Sequence, residues 1–351
     1  MITVAFHIII ALTLLLTRFF IHKFNVIRII CGCSIIISIL TAFLFFTSNI
    51  ILRSIFFLAA GMFFCIAQLG SYVYFWNLTV PEERGRVGSI LVFLSLPISF
   101  SIIGFAEFLD FSQIILLSII LSLGILVIKL LNPETKEIVT AETEERGYQP
   151  EKRTILLYTI PWIVFSLINA TLARDMTSVF STQLPSSFYS SLTISQSISA
   201  IFGALIGGII ADFFGRRLAL TLSLTLYGIS AALAGLVNSY ELLYFVYIAN
   251  GVNWGILLTL YSWVIWGDLT NKKNCFKTYS IGMIIYYLTI VIGTLKGQTP
   301  IAPLLVSSLS SCLLIFLSNI PLLLAPELLS SDFRERIKMK LHMRALKRFG
   351  H

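Results

Sequence analysis

The chain has 351 residues, of which 57% are hydrophobic and only 12% charged, and its mean hydropathy is +0.91. A soluble domain of this length needs far more polar surface, and a single anchor would gather the apolar residues into one segment, so the composition implies a polytopic membrane protein. The net charge of +8 comes without an aromatic-interleaved basic patch, so it excludes nucleic acid as a partner and reads as contact with anionic lipid.

A membrane helix needs about 20 apolar residues and satisfies its own backbone. Such runs fall at 1–16, 28–47, 51–76, 87–106, 111–131, 154–173, 186–209, 218–237, 242–266, 278–296 and 301–325. They are continuous rather than alternating, which rejects a β-barrel. The first run lacks the basic start and small-residue cleavage site of a signal peptide. Pro97 and Pro161 lie inside spans, where proline is expected to kink or break a helix.

All but Arg53, Arg174 and Lys296 of the 25 Lys and Arg fall in alternate connections and the C-terminal tail. The positive-inside rule makes that side cytoplasmic, with His351 inside, as in a multi-pass protein of the plasma membrane. No Asp, Glu, Lys, Arg or His is read at the centre of a span. Glu107, Asp110, Arg174, Asp175, Glu241 and Lys296 fall toward outer ends and Asp268 toward an inner one. The five cysteines read as small buried residues, not as metal ligands or disulfides. No metal site, cofactor or catalytic cluster is read from the sequence.

The chain divides into a bundle over 1–131, a polar linker over 132–153, a bundle over 154–326 and a tail over 327–351. The halves echo each other. YVYFWNLT ends at Thr79 and YSWVIWGDLT at Thr270; Ala59, Gly61 and Trp76 match Ala249, Gly251 and Trp266 at a separation of 190; Pro133-Glu134 matches Pro326-Glu327. In register these echoes suggest a parallel internal repeat of the kind found in transporters. TRFFIHK at Thr17 to Lys23 aligns with ADFFGRR at Ala211 to Arg217, with Arg18 in place of the aspartate. The second half has six spans and the first five, and the register puts the partner of span 154–173 before Met1. Two readings stay open: the start lies upstream, or a helix was lost. The tail places Phe333, Ile337 and Leu341 on one face amid basic residues, as in an amphipathic helix lying on an anionic inner leaflet.

The stretch Gly208-xxx-Asp212-xx-Gly215-Arg216-Arg217 resembles the signature loop of the major facilitator superfamily, and Pro81 to Arg86 (PEERGR) resembles its Arg-Gly motif. The resemblance covers nearly the whole chain. It implies an all-α fold of two pseudo-symmetric bundles, here about five and six spans, whose first family helix is missing. It also implies a monomer moving a small solute by alternating access. Gly208, Asp212, Gly215, Arg216, Arg217, Arg84 and Gly85 would form the conformational gate, with Asp212 facing Arg216 and the helix start near Gly85. Gly215 permits the reversal, and an aspartate at that depth needs a partner. Spans 51–76, 154–173 and 242–266 would line the pathway. Gln68, Tyr72, Trp162, Asn169, Gln196, Asn250, Asn253, Trp254 and Tyr286 are the candidate cavity residues, a set of amides and aromatic faces that suits a neutral or amphipathic solute. Such residues also serve as helix glue and interface anchors. Two other classes remain open: a non-transporting receptor or scaffold, and a membrane-embedded transferase, which would want acid–base or metal groups.

Overall fold

Among the described residues ten helices follow one another in chain order. The computed structural model describes residues 2–20, 25–105, 151–237, 239–271, 274–296 and 303–329. The expected span at 111–131, Glu107, Asp110, nearly all of the linker and the tail beyond Leu329 lie outside the described residues. The helices are α1 (Ile2–Phe20), α2 (Val26–Phe46), α3 (Ile50–Leu78), α4 (Arg84–Phe105), α5 (Lys152–Gln183), α6 (Ser186–Phe214), α7 (Arg216–Ala234), α8 (Tyr240–Asp268), α9 (Cys275–Leu295) and α10 (Leu304–Leu324). Eight of them are long and apolar enough to cross a membrane, and α1 adds a shorter apolar run. Leucine, isoleucine and phenylalanine remain exposed along most helices, as lipid-facing surfaces require.

Several starts follow directly from the sequence. Asn25 accepts from the amides of Ile27 and Arg28 to begin α2, and Asn49 does the same for Ile51 at the head of α3. Ser239 caps α8 through Leu242 N–H. These side chains satisfy amides that have no partner inside the helix.

The repeat is visible in the helix ends. Ile50 and Leu78 bound α3, Tyr240 and Asp268 bound α8, and both helices have 29 residues. The α2 and α7 starts, Val26 and Arg216, stand at the same separation of 190. A side chain added at Gly61 of α3 would strike Phe6 of α1, and one added at Gly251 of α8 would strike Ser199 and Gln196 of α6. The same glycine thus serves the same close approach in each half.

Within the second half, α6 and α8 cross through Gly203, Gly207, Gly251 and Gly255, where an added Cβ would meet the partner helix's backbone or side chains. Small residues let membrane helices approach this closely. Between the halves, α1 packs on α9, α4 on α6, and α3 more lightly on α9.

Three expectations are corrected. Pro97 and Pro161 sit inside continuous helices, so neither breaks one. The span read at 154–173 is part of a 32-residue helix, about 48 Å long. Its charged continuation is held because Asp175, buried, accepts from Lys296 Nζ at 2.6 Å and Ser307 Oγ at 2.6 Å. Finally, His7, the sixth residue of α1, lies near the middle of the first apolar run. The run MITVAFHIII is apolar enough to hide it.

Candidate functional site: a charged gate and an aromatic cluster

The basic connections meet at one end of the bundle. There α6 ends at Phe214 and Gly215 reverses the chain at φ +110°, a conformation glycine adopts without a Cβ penalty. Asp212, fully buried on the last turn of α6, faces the start of α4. Its Oδ1 accepts from Gly85 N–H at 2.9 Å and its Oδ2 from Arg86 N–H at 2.8 Å. The carboxylate therefore caps α4 from the other half, where the helix dipole favours negative charge. Arg86 Nε adds a contact at 3.1 Å and Arg216 Nη1 one at 2.5 Å.

Arg216 carries the charge onward. Its Nε donates to Asp268 Oδ2 at 2.8 Å, and its Nη2 donates to the Pro81 carbonyl at 2.5 Å. The other Asp268 oxygen pairs with Arg84 of α4, and Arg84 Nη2 also donates to the Thr79 carbonyl at 3.2 Å. The result is a buried chain of alternating charge, Arg84–Asp268–Arg216–Asp212, in which no side chain is more than 3% exposed. Buried charges persist only when paired in this way. Trp76 Nε1 donates to the Gly267 carbonyl at 2.9 Å and closes the same end from α3.

Close approach makes the junction possible. A Cβ at Gly208 would fall on the Gly85 carbonyl, and one at Gly85 would fall on Asp212. Glu327, just past α10, accepts from the amides of Arg216 at 2.8 Å and Arg217 at 3.2 Å. It supplies the cap that Gly215 cannot. Arg217 itself is exposed and reaches the Ala325 carbonyl at 3.1 Å.

Of the residues read from the sequence, Gly208, Asp212, Gly215, Arg216, Arg84 and Gly85 come together here, with Arg217 at the rim. Asp268, Glu327 and Arg86 belong to the same cluster but were not singled out. Their signals were present: Asp268 ends the WGDLT echo and Glu327 the Pro-Glu echo. Each was read as evidence of repetition rather than as a partner.

A second group lies deeper. Gln68, about 15 Å along α3 from its basic end, donates through Nε2 to Tyr72 OH at 3.0 Å and accepts from Tyr287 OH at 2.8 Å. This bond joins α3 of one half to α9 of the other. Tyr72 packs edge-on to Trp263 and stacks with Tyr279. Trp162 stacks between Tyr261 and Tyr286 and donates Nε1–H to the Gly282 carbonyl at 2.9 Å. A π turn at Leu260–Ile265 carries Tyr261 and Trp263 into the cluster. Such turns recur at functional sites, and no apolar periodicity announces one.

The remaining candidates stand apart. Asn169 accepts from Tyr227 OH at 3.3 Å inside the second half. Gln196 donates to Asn250 at 3.3 Å across the α6–α8 seam. Asn253 Nδ2 donates to the Ala249 carbonyl of its own helix, while its Oδ1 is buried without a partner. Trp254 is half-buried against the core. Among the described residues no three His, Cys, Asp or Glu gather as metal ligands.

Residues 156–299 match the family model described as "sugar (and other) transporter". The chain is also similar in structure to a bacterial homologue of the iron transporter ferroportin in an outward-facing state. The TM-score is 0.62 at 14% identity, over 91% of this chain and 88% of that one. No curated protein matches in sequence. The family model over 156–299 and the structural likeness support a multi-pass membrane protein with the fold of that transporter homologue.

Proposed function

We propose that the protein is a secondary transporter that moves a small neutral solute across the plasma membrane by alternating access, and that the charged cluster is its cytoplasmic gate in the closed position. The observation that carries this reading is the Arg84–Asp268–Arg216–Asp212 chain. Every described ion pair that crosses between the halves lies at the basic end, which the positive-inside rule assigns to the cytoplasm. A bundle latched there and closed by Trp76 on Gly267 offers its central cluster to the outside. Opening must separate α4 from α6 and break these bonds together.

The central cluster supports the substrate class. Gln68, Tyr72, Tyr287 and Trp162 offer amide, phenol and indole groups over aromatic faces, with no fixed charge among them. That chemistry suits a hydroxylated or amphipathic neutral solute, in keeping with the sugar-transporter family model.

Two experiments test the reading. The first is a thermal-stability screen over sugars, organic acids, amino acids, lipophilic cations and ferrous ion. A neutral hydroxylated solute is expected to raise the midpoint, since a ligand at 100 times its Kd adds about 2.7 kcal/mol. The solute found is then assayed for uptake into proteoliposomes, where Gln68→Ala should reduce uptake about 5- to 150-fold, as a lost buried hydrogen bond of about 1–3 kcal/mol implies. The second experiment replaces Asp212 by asparagine. The amide keeps one acceptor but presents N–H groups to Arg216 or to the Arg86 amide, so the closed form should lose population. Unchanged transport together with unchanged thiol accessibility at the cytoplasmic end would show that the charged cluster is not the gate.

A further inference from the structure

His7 is the ionisable side chain that the sequence reading passed over. It sits on α1 about 20 Å from the basic end, and its ring lies 6.0 Å from that of Tyr287 on α9. It therefore stands where the two halves meet, since α1 and α9 belong to different halves. Its Nδ1 is 2.7 Å from the Thr3 carbonyl. That bond requires the hydrogen on Nδ1 and leaves Nε2 as the basic nitrogen.

Tyr287 is also the first member of a path across the interface. Its hydroxyl donates to Gln68, Gln68 donates to Tyr72, and Tyr72 stacks on Tyr279. Tyr279 donates to the Trp263 carbonyl at 2.8 Å and lies against Gly267, beside Arg84. A chain of neighbouring side chains thus runs from His7 to the gate.

The surroundings single this residue out. Helices α1, α3 and α9 carry no carboxylate and no second histidine. Of their other ionisable groups, Tyr286 and Tyr287 of α9 and Cys65 and Tyr72 of α3 face the half interface. Arg53 is bonded to the Thr47 carbonyl and Lys296 to Asp175. Only the imidazole among these ordinarily titrates near neutral pH.

We infer that His7 is the protonation site that couples this transporter to the proton gradient, the imidazolium form favouring the closed cytoplasmic gate. This rests on the alternating-access reading. With the gate closed, Nε2 takes one proton from the outer medium, and the proton leaves toward the cytoplasm as the gate opens. One proton is bound and one released per cycle.

Cys275 provides the reporter. It is buried at the start of α9, beside the gate, and opening should expose it. In a background with Cys31, Cys33, Cys65 and Cys312 replaced by serine, a membrane-impermeant maleimide is applied from the cytoplasmic side of inverted vesicles at about pH 5.5 and about pH 8.5, either side of the imidazole range. The ratio of wild-type to His7→Gln labelling rates cancels the thiol's own pH dependence. Wild type should label several-fold more slowly than His7→Gln at the acid pH and at the same rate at the alkaline pH. The ratio grows about tenfold per unit by which the two states differ in imidazole pKa. His7→Asn serves if the glutamine variant does not reach the membrane. A ratio independent of pH overturns the inference. Asp212→Asn in the same background separates the readings: faster labelling at both pH values with a flat His7 ratio keeps the gate and removes the proton site, whereas no acceleration removes the gate and, with it, the coupling.

Discussion

Asp268→Asn should open the cytoplasmic end more effectively than any other single conservative change. One carboxylate oxygen pairs with Arg84 of the first half and the other with Arg216 of the second. Neutralising it leaves two buried guanidinium groups to share Asp212. Breaking a buried pair by removing one partner costs about 3–5 kcal/mol. At 1.4 kcal/mol per tenfold, the closed population should fall by about two to three and a half orders of magnitude relative to the open one. Maleimide labelling of Cys275 from the cytoplasmic side measures this directly. Arg217→Ala is the control. The Arg217 side chain is exposed and donates to a carbonyl, while its backbone bond to Glu327 survives the change, so its loss should change labelling little. Equal labelling in Asp268→Asn and wild type would show that the charge chain does not hold the gate.

The second large effect concerns folding rather than gating. Gly255 of α8 sits against α6 so closely that an added Cβ would fall on the Ala200 carbonyl and lie 2.9 Å from the Ala204 nitrogen. Backbone cannot rotate aside as a side chain can, so Gly255→Ala should force the two helices apart. Overpacking of this kind costs about 1–3 kcal/mol, and the thermal midpoint should fall clearly. Gly32 of α2 is the contrast, with nothing within 4 Å of its Cβ position. Gly32→Ala removes a helix-interior glycine at no steric cost and should stabilise by about 0.5–1 kcal/mol. A midpoint that drops equally in both variants would mean that the α6–α8 seam is not the constraint described.

Much of this architecture was readable beforehand because bilayer physics writes it into composition. Apolar run length located all ten described helices, and the side carrying arginine and lysine identified the end where the charged cluster forms. Arg216 and a helix start as partners of Asp212 followed from asking what a carboxylate at that depth requires, and the resemblance implied that the helix start is the one near Gly85. Asp268 was harder. Its partners lie 52 and 184 residues away in the chain, and no local pattern encodes such a distance. The π turn was illegible because a single wide turn leaves the sequence apolar on every side. The aromatic cluster was partly legible: Gln68, Tyr72, Trp162 and Tyr286 stood among the candidates, while nothing in the local pattern marked Trp263 or Tyr279. Asn169, Gln196 and Asn250 bond within the second half, as a polar side chain in a span readily does.

The crossing of Gly85 and Gly208 has a consequence for the thermodynamics of movement. Where α4 meets α6, the two glycines set backbone against backbone, and only the short Ser89 and Asp212 side chains reach across to them. Glycine has no rotamers to lose, whereas each arginine or glutamine ordered on closing forfeits up to about 2 kcal/mol of conformational freedom. The contact can thus form and part while freezing few rotors at its pivot. The heat and entropy of switching should come instead from dehydrating the guanidinium and carboxylate groups around it, making water, not packing, the main component exchanged each time the cytoplasmic end closes.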